Sequence, residues 1–152
     1  MPIAINGSGT ITGISVGGIP DGTVDTDVLA ANAVTYAKIG TTEQGQLCKA
    51  WVNFDGTGTV AIRASYNVSS ITDNGTGDYT VNFTTAMPDA NYTVIGGGAS
   101  VLNAALPITY PNTSAGGAVN QTAPSTSSFK VATNIPTGVA YDPQYVYLAV
   151  FR

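Results

Sequence analysis

Chemistry in this chain would have to come from carboxylates. The sequence holds no His, so the commonest general base and the commonest metal ligand are both missing. Five Asp residues, Asp55, Asp73, Asp78, Asp89 and Asp142, fall in or beside breaks rich in Gly, Asn and Pro. There Asp is favoured because it accepts hydrogen bonds from its own backbone. Two of them converging across a cleft would make the acid and base of a glycoside hydrolase, but nothing in their spacing brings a pair together. Turn-forming roles are therefore expected, with no catalytic residue, no metal and no cofactor. The glycine runs at 56–58 ("GTG") and 96–98 ("GGG") are followed by neither a helix nor Gly-Lys-Ser/Thr, so they do not cradle phosphate. Cys48 is the single cysteine; it cannot close a disulfide within one chain, and a small buried apolar role is expected for it.

The residues around these carboxylates are polar without being ionic. Of 152 residues 43% are apolar and only 9% charged, against about a quarter in an ordinary soluble protein. Thr and Ser together number 31 and Gly 18, the profile of a β-rich structural or extracellular protein. The net charge is −4, and Lys38, Lys49, Arg63, Lys130 and Arg152 are scattered. That excludes the clustered cations that phosphate neutralisation needs, and with them nucleic acid as a partner. No apolar run is long enough to span a bilayer, and "MPIAINGSGT" has neither the basic nor the apolar block of a signal peptide. A soluble protein not exported by the usual route is expected, without membrane insertion. The seven Asn-X-Ser/Thr triplets follow from composition.

Two regions must position these residues. Residues 1–46 form an N-terminal attachment or stalk segment: the first twenty hold five Gly and two Pro, and gain order only against something else. "DGTVDTDVLA" stacked over "ANAVTYAKIG" then aligns Val24 with Val34 and Leu29 with Ile39. Two ten-residue units with two anchors each bury little in one chain, so these four residues are expected to pack between copies in a trimer stalk. A competing reading puts a helix over 26–38, capped by Asp25 or Thr26. "GTTEQGQ" (40–46) reads as a polar joint.

Residues 47–152 read as strand after strand, an antiparallel β-sandwich head in an all-β protein. "AWVNF" precedes "DGTG", and in "TVAIRASYNV" Val60, Ile62, Ala64, Tyr66 and Val68 alternate with polar and small residues, which places one face inward. "DNGTG" (73–77) supplies an Asn-Gly hairpin turn, Tyr79, Val81 and Phe83 alternate beyond it, and "NYTVIG" is a fourth strand. Short strands are expected near 100–102 and 107–110, followed by "SFKVAT" (128–133) and "YVYLAVFR" (145–152). Most aromatics, Trp51, Tyr66, Tyr110, Tyr141, Tyr145 and Tyr147 among them, are expected in the core or in interfaces.

"KAWVNFDGTGTVAIRASYNVSSITDNGTGDYTVNFTTAMPDANYTV" resembles a segment of tail fibre and related virion proteins of tailed bacteriophages. "INGSGTITGISVGGIPDGTV" is similar to fibre shafts built of Gly-rich, "DGTV"-like units. The resemblance covers 6–40 and 49–95. It implies a homotrimeric virion structural protein without enzymatic activity, joined to other virion proteins through its N-terminal segment, with a head for receptor binding or virion attachment. Only two shaft-like units occur, which fits a short fibre or a fibre tip; a capsid decoration (cement) or tail adaptor protein is the alternative. Several copies at one point would raise avidity for a host surface glycan. If each turn reverses the chain once, "DGTG" and "AMPDA" share the end away from the stalk, so Asp55 and Asp89 are expected in the receptor-facing surface with the 97–127 segment. In that segment Tyr110 would stack on a sugar ring, or sit in a trimer interface.

Overall fold

The computed structural model describes residues 29–31, 33–100, 108–109, 122–135 and 138–152. The chain divides into two units, Met1–Gly40 and Thr41–Arg152. The division falls ahead of "TTEQGQ", where the sequence reading set it after Gln46.

In the first unit, Tyr36–Lys38 forms a single 3-10 turn, with Thr35 and Ile39 extended on either side. The helix considered over 26–38 is thus reduced, among the described residues, to one turn. Its cation Lys38 donates from Nζ to the Ala33 carbonyl at 3.1 Å. Leu29 and Val34 are exposed and Ile39 is half-buried; Val24 lies outside the described residues.

The second unit opens with a short helix, α1 (Thr41–Gln46), where a polar joint was expected. Glu43 in its first turn suits the positive end of the helix, and the Leu47 amide closes it on the Gln44 carbonyl. Among the described residues eight strands follow: β1 (Cys48–Asp55), β2 (Ala61–Tyr66), β3 (Val68–Gly75), β4 (Asp78–Phe83), β5 (Thr93–Ala99), β6 (Ile108–Thr109), β7 (Ser128–Thr133) and β8 (Tyr145–Phe151). They form two antiparallel sheets, in the orders β2-β1-β8-β5 and β3-β4-β7-β6. The all-β antiparallel sandwich expected from the sequence is what folds.

The core lies between the sheets because alternation in the central strands points one way. Ala50, Val52 and Phe54 of β1 and Val146, Leu148 and Val150 of β8 meet Tyr79, Val81 and Phe83 of β4 and Phe129 and Val131 of β7. Phe54 meets Tyr79 edge-on across the sheets with centroids 5.2 Å apart, an arrangement that suits the ring quadrupoles. Met87 and Tyr92, from the link between β4 and β5, close the core at one end.

Two expectations fail at the strand the sequence drew longest. "TVAIRASYNV" is not one strand but parts of two, separated at Asn67, whose φ is 55°. Asn reaches this left-handed region more readily than any branched residue, and here its side chain holds the bend. Asn67 Nδ2 donates to the Lys49 and Thr85 carbonyls at 3.3 and 3.1 Å, and its Oδ1 accepts the Thr85 amide at 2.7 Å. The chain therefore leaves the first sheet after β2 and enters the second as β3. Every residue of β2 is exposed, including Ile62, which was expected to face the core; β2 is an edge strand.

The β3–β4 turn is also displaced. It is made by Thr76 and Gly77, after an irregularity between Asp73 and Gly75, and not by Asn74-Gly75. Gly77 is required there: its φ is 69°, and a Cβ would stand 2.5 Å from the Thr133 carbonyl oxygen. Cys48 is half-buried, not buried, and its thiol donates to the Ala50 carbonyl at 3.1 Å.

Candidate functional site: two ends and an aromatic face

Asp55 ends β1 and is engaged on both oxygens. Oδ1 accepts the Thr57 amide at 3.0 Å and the Thr57 hydroxyl at 2.7 Å, the local turn bonding expected of Asp. Oδ2 pairs with Arg63 Nη2 at 2.6 Å, and Arg63 also donates through Nη1 to the Gln144 carbonyl at 2.6 Å while its guanidinium lies 4.4 Å from the Tyr145 ring centre. The two Thr57 bonds, with a lesser contribution from the Arg63 charge, hold the Asp55 carboxyl below the usual range against the opposing effect of burial. A carboxylate held ionised in this way is a poor proton donor at neutral pH.

Beside it, Asp142 ties three segments together. Its Oδ1 accepts the Gly77 amide and the Tyr79 hydroxyl, each at 2.7 Å, and the Tyr79 hydroxyl also lies 3.1 Å from the Gly56 carbonyl oxygen. Burial, then the Asp142 carboxylate, push the Tyr79 phenol well above its ordinary value. The Gly56 amide bonds the Pro143 carbonyl at 2.9 Å, and the Thr133 hydroxyl donates to the Tyr141 carbonyl at 2.6 Å. The turns at this end are thus pinned to one another.

Asp89 is at the other end. Its Oδ1 accepts the Asn91 amide at 2.7 Å and Arg152 Nε at 2.9 Å, and its Oδ2 pairs with Arg152 Nη2. These contacts, Arg152 first, lower its pKa and raise that of Arg152. Since Asp55 adjoins the start of β8 and Arg152 follows its last residue, the two carboxylates are separated by about the length of a seven-residue strand, on the order of 20 Å. The two loops do not share an end. The extra strand β3 reverses the parity, so the "DNGTG" turn joins "DGTG" at the far end, while "AMPDA" stands beside Lys49, where the chain comes in. Tyr110 lies outside the described residues.

Of the aromatics expected in the core or in interfaces, Trp51, Tyr66, Tyr145 and Tyr147 are exposed, on a surface that alternation encodes. Residues of β1 and β8 out of phase with the core project from the first sheet: Trp51, Asn53, Tyr145 and Tyr147. Cross-strand pairing sets Tyr66, Trp51, Ala149 and Ile95 in one row, and Ala64, Asn53, Tyr147 and Gly97 in the next. Tyr147 lies over Gly97, where a Cβ would come within 2.9 Å of its ring, so the glycine lets the ring lie down on the sheet. At the margin, Tyr66, Asn67, Thr84 and Thr85 line an open cleft of about 390 Å³. Among the described residues no three His, Cys, Asp or Glu gather to hold a metal, and no helix is long and apolar enough to cross a membrane.

No family model matches the sequence, and neither does any curated protein. Among solved structures, the phiAB6 tailspike, determined in complex with three-repeated oligosaccharides of Acinetobacter baumannii surface polysaccharide, aligns with a TM-score of 0.42 at 20% identity. The alignment covers 66% of this chain and 19% of that one, so the chain spans about a fifth of that protein's length.

Proposed function

We propose that this protein is a non-enzymatic structural component of a phage virion, a short trimeric tail fibre or fibre tip whose head meets the host surface. The observation that carries the reading is the division of labour between the two ends of the sandwich. The chain comes in beside Lys49, and at the opposite end the turns at 55–60, 75–78 and 141–144 are locked together by the Tyr79–Asp142 bonds. A rigid set of loops at the end of the sandwich opposite the one where the chain enters β1 is what a receptor-contacting tip needs. The resemblance of residues 49–95 to fibre proteins supports the same reading, with residues 1–46 as the link to other virion proteins.

In this reading Asp55 and Tyr110 belong to the receptor surface, with a host glycan as the ligand, whereas Asp89 braces the incoming end. The cement or adaptor reading draws on a separate observation, the aromatic face, which suits protein contact. Adsorption of virions carrying Asp55→Ala, Asp89→Ala or Tyr110→Ala separates them. Weakened adsorption with normal assembly is expected for Asp55→Ala and Tyr110→Ala, and parental adsorption for Asp89→Ala. Parental adsorption in all three, or a block in assembly, would replace the fibre reading with the cement one. Labelling the protein on intact particles then gives its position, at the tail or over capsid joints.

A further inference from the structure

We propose that the outer face of the β2-β1-β8-β5 sheet is the surface through which the head binds further copies of itself. The inference extends the trimer of the proposed function from the attachment segment to the head, and it does not require host binding. Trp51 is 41% exposed, Tyr66 59%, Tyr147 49% and Ile95 55%, with Tyr145 at 40% beside them. Cross-strand pairing makes them contiguous through Ala149, Ala64 and Gly97. Since an aromatic side chain has about 150–250 Å² to bury, these five leave roughly 500 Å² of mostly apolar surface in water. A stable interface takes about 800 Å² from each partner, somewhat over half of it apolar. The face therefore matches one partner's apolar share.

Charge selects the occupant. The chain carries a net charge of −4, so two copies approach best through a surface free of carboxylates. Asp89 and Asp142 stand at the ends of the sandwich, and Asp73 and Asp78 belong to the other sheet. Asp55, at the margin of the face, is neutralised by Arg63. A partner of different sequence would be selected by complementary charge, which this face does not offer, whereas a second copy needs only apolar fit without like-charge repulsion.

Trp51 is the single tryptophan, so its fluorescence reads the face directly. In the intact chain at micromolar concentration, light scattering should give a multimer, and Trp51 emission should be blue-shifted and shielded from iodide. Dilution should shift the emission to the red as mass falls. Tyr147→Lys, which adds a charge to an exposed position and leaves the core untouched, should open Trp51 to iodide and raise the concentration at which the multimer dissociates, with unchanged circular dichroism. A multimer with Trp51 freely quenched would overturn the inference while leaving a trimer held by residues 1–46 intact, and a parental monomer would overturn both. Should Tyr147→Lys fail to fold, the dilution series on the parent still decides. Host binding is read separately, by adsorption.

Discussion

At the scale of single residues, the structure turns on Asn67. Its left-handed backbone and its three side-chain bonds, two donated and one accepted, fix the corner between the sheets. Asn67→Ala removes all three and adds left-handed strain, so urea denaturation should show a loss of about 1–3 kcal/mol. Asn67→Gly should recover roughly 1 kcal/mol of that by relieving the backbone. Tyr79 gives a pH signature at the opposite end. Its pKa is raised by burial and Asp142, so its contribution is whole below the pH near 10 at which an exposed phenol ionises, and it declines as pH rises beyond that. Alkaline titration of stability should show this decline in the parent, and it should be weaker in Tyr79→Phe. Asp55 and Asp89 run the other way: both pKa values are lowered, so their contribution holds above about pH 4 and is lost in acid. The turn bonds of Asp55, Asp73 and Asp89 were legible because Asp in a break rich in Gly, Asn or Pro has few other uses. Asn67 was hidden, because apolar residues keep their two-residue beat from Val60 to Val68 straight through it.

At the scale of elements, period-two alternation found the central strands and misjudged an edge. The strands at 128–133 and 145–151 fall where the sequence placed them, since in β7 and β8 sheet neighbours lie on both sides and one face meets the core. In β2 the same pattern of Ile62, Ala64 and Tyr66 carries no burial. A strand with one neighbour can present apolar residues to water or to another molecule, and alternation alone does not say which. Arg63 in the middle of β2, and the irregularity opposite Asn53 and Phe54, discourage open-ended pairing along that edge. Ile62→Asp should therefore be tolerated, costing less than about 1 kcal/mol. Val81→Asp, which places a carboxylate at a fully buried position, should abolish folding. Expression as soluble protein followed by circular dichroism of the two variants checks this; equal damage from both would mean that β2 is covered in the folded chain.

At the scale of the whole molecule, the architecture was legible and the assignment of its ends was not, because one uncounted strand reverses every later turn. Counting β3 brings 55–60 and 75–78 to one end and sends Asp89 to the other, which changes which residues can act together. The core residues all lie in the second unit, drawn from β1, β3, β4, β7 and β8 and the link carrying Met87 and Tyr92. Among the described residues no member of that core belongs to the first unit, so residues 41–152 should fold alone. The cut belongs before α1, whose Gln44 carbonyl accepts the Leu47 amide and Lys49 Nζ; starting at residue 47 would strip those bonds from the first strand. Circular dichroism of the 41–152 fragment should show sheet, near-ultraviolet aromatic signal and a cooperative melt close to that of the intact chain, with the 47–152 fragment melting lower. If the head also self-associates through its aromatic face, the 41–152 fragment should keep Trp51 shielded, but dissociate at a higher concentration than the full chain. The difference would be the part held by the apolar anchors of the first unit. A fragment that unfolds without residues 1–40 would show instead that attachment segment and head are one cooperative unit.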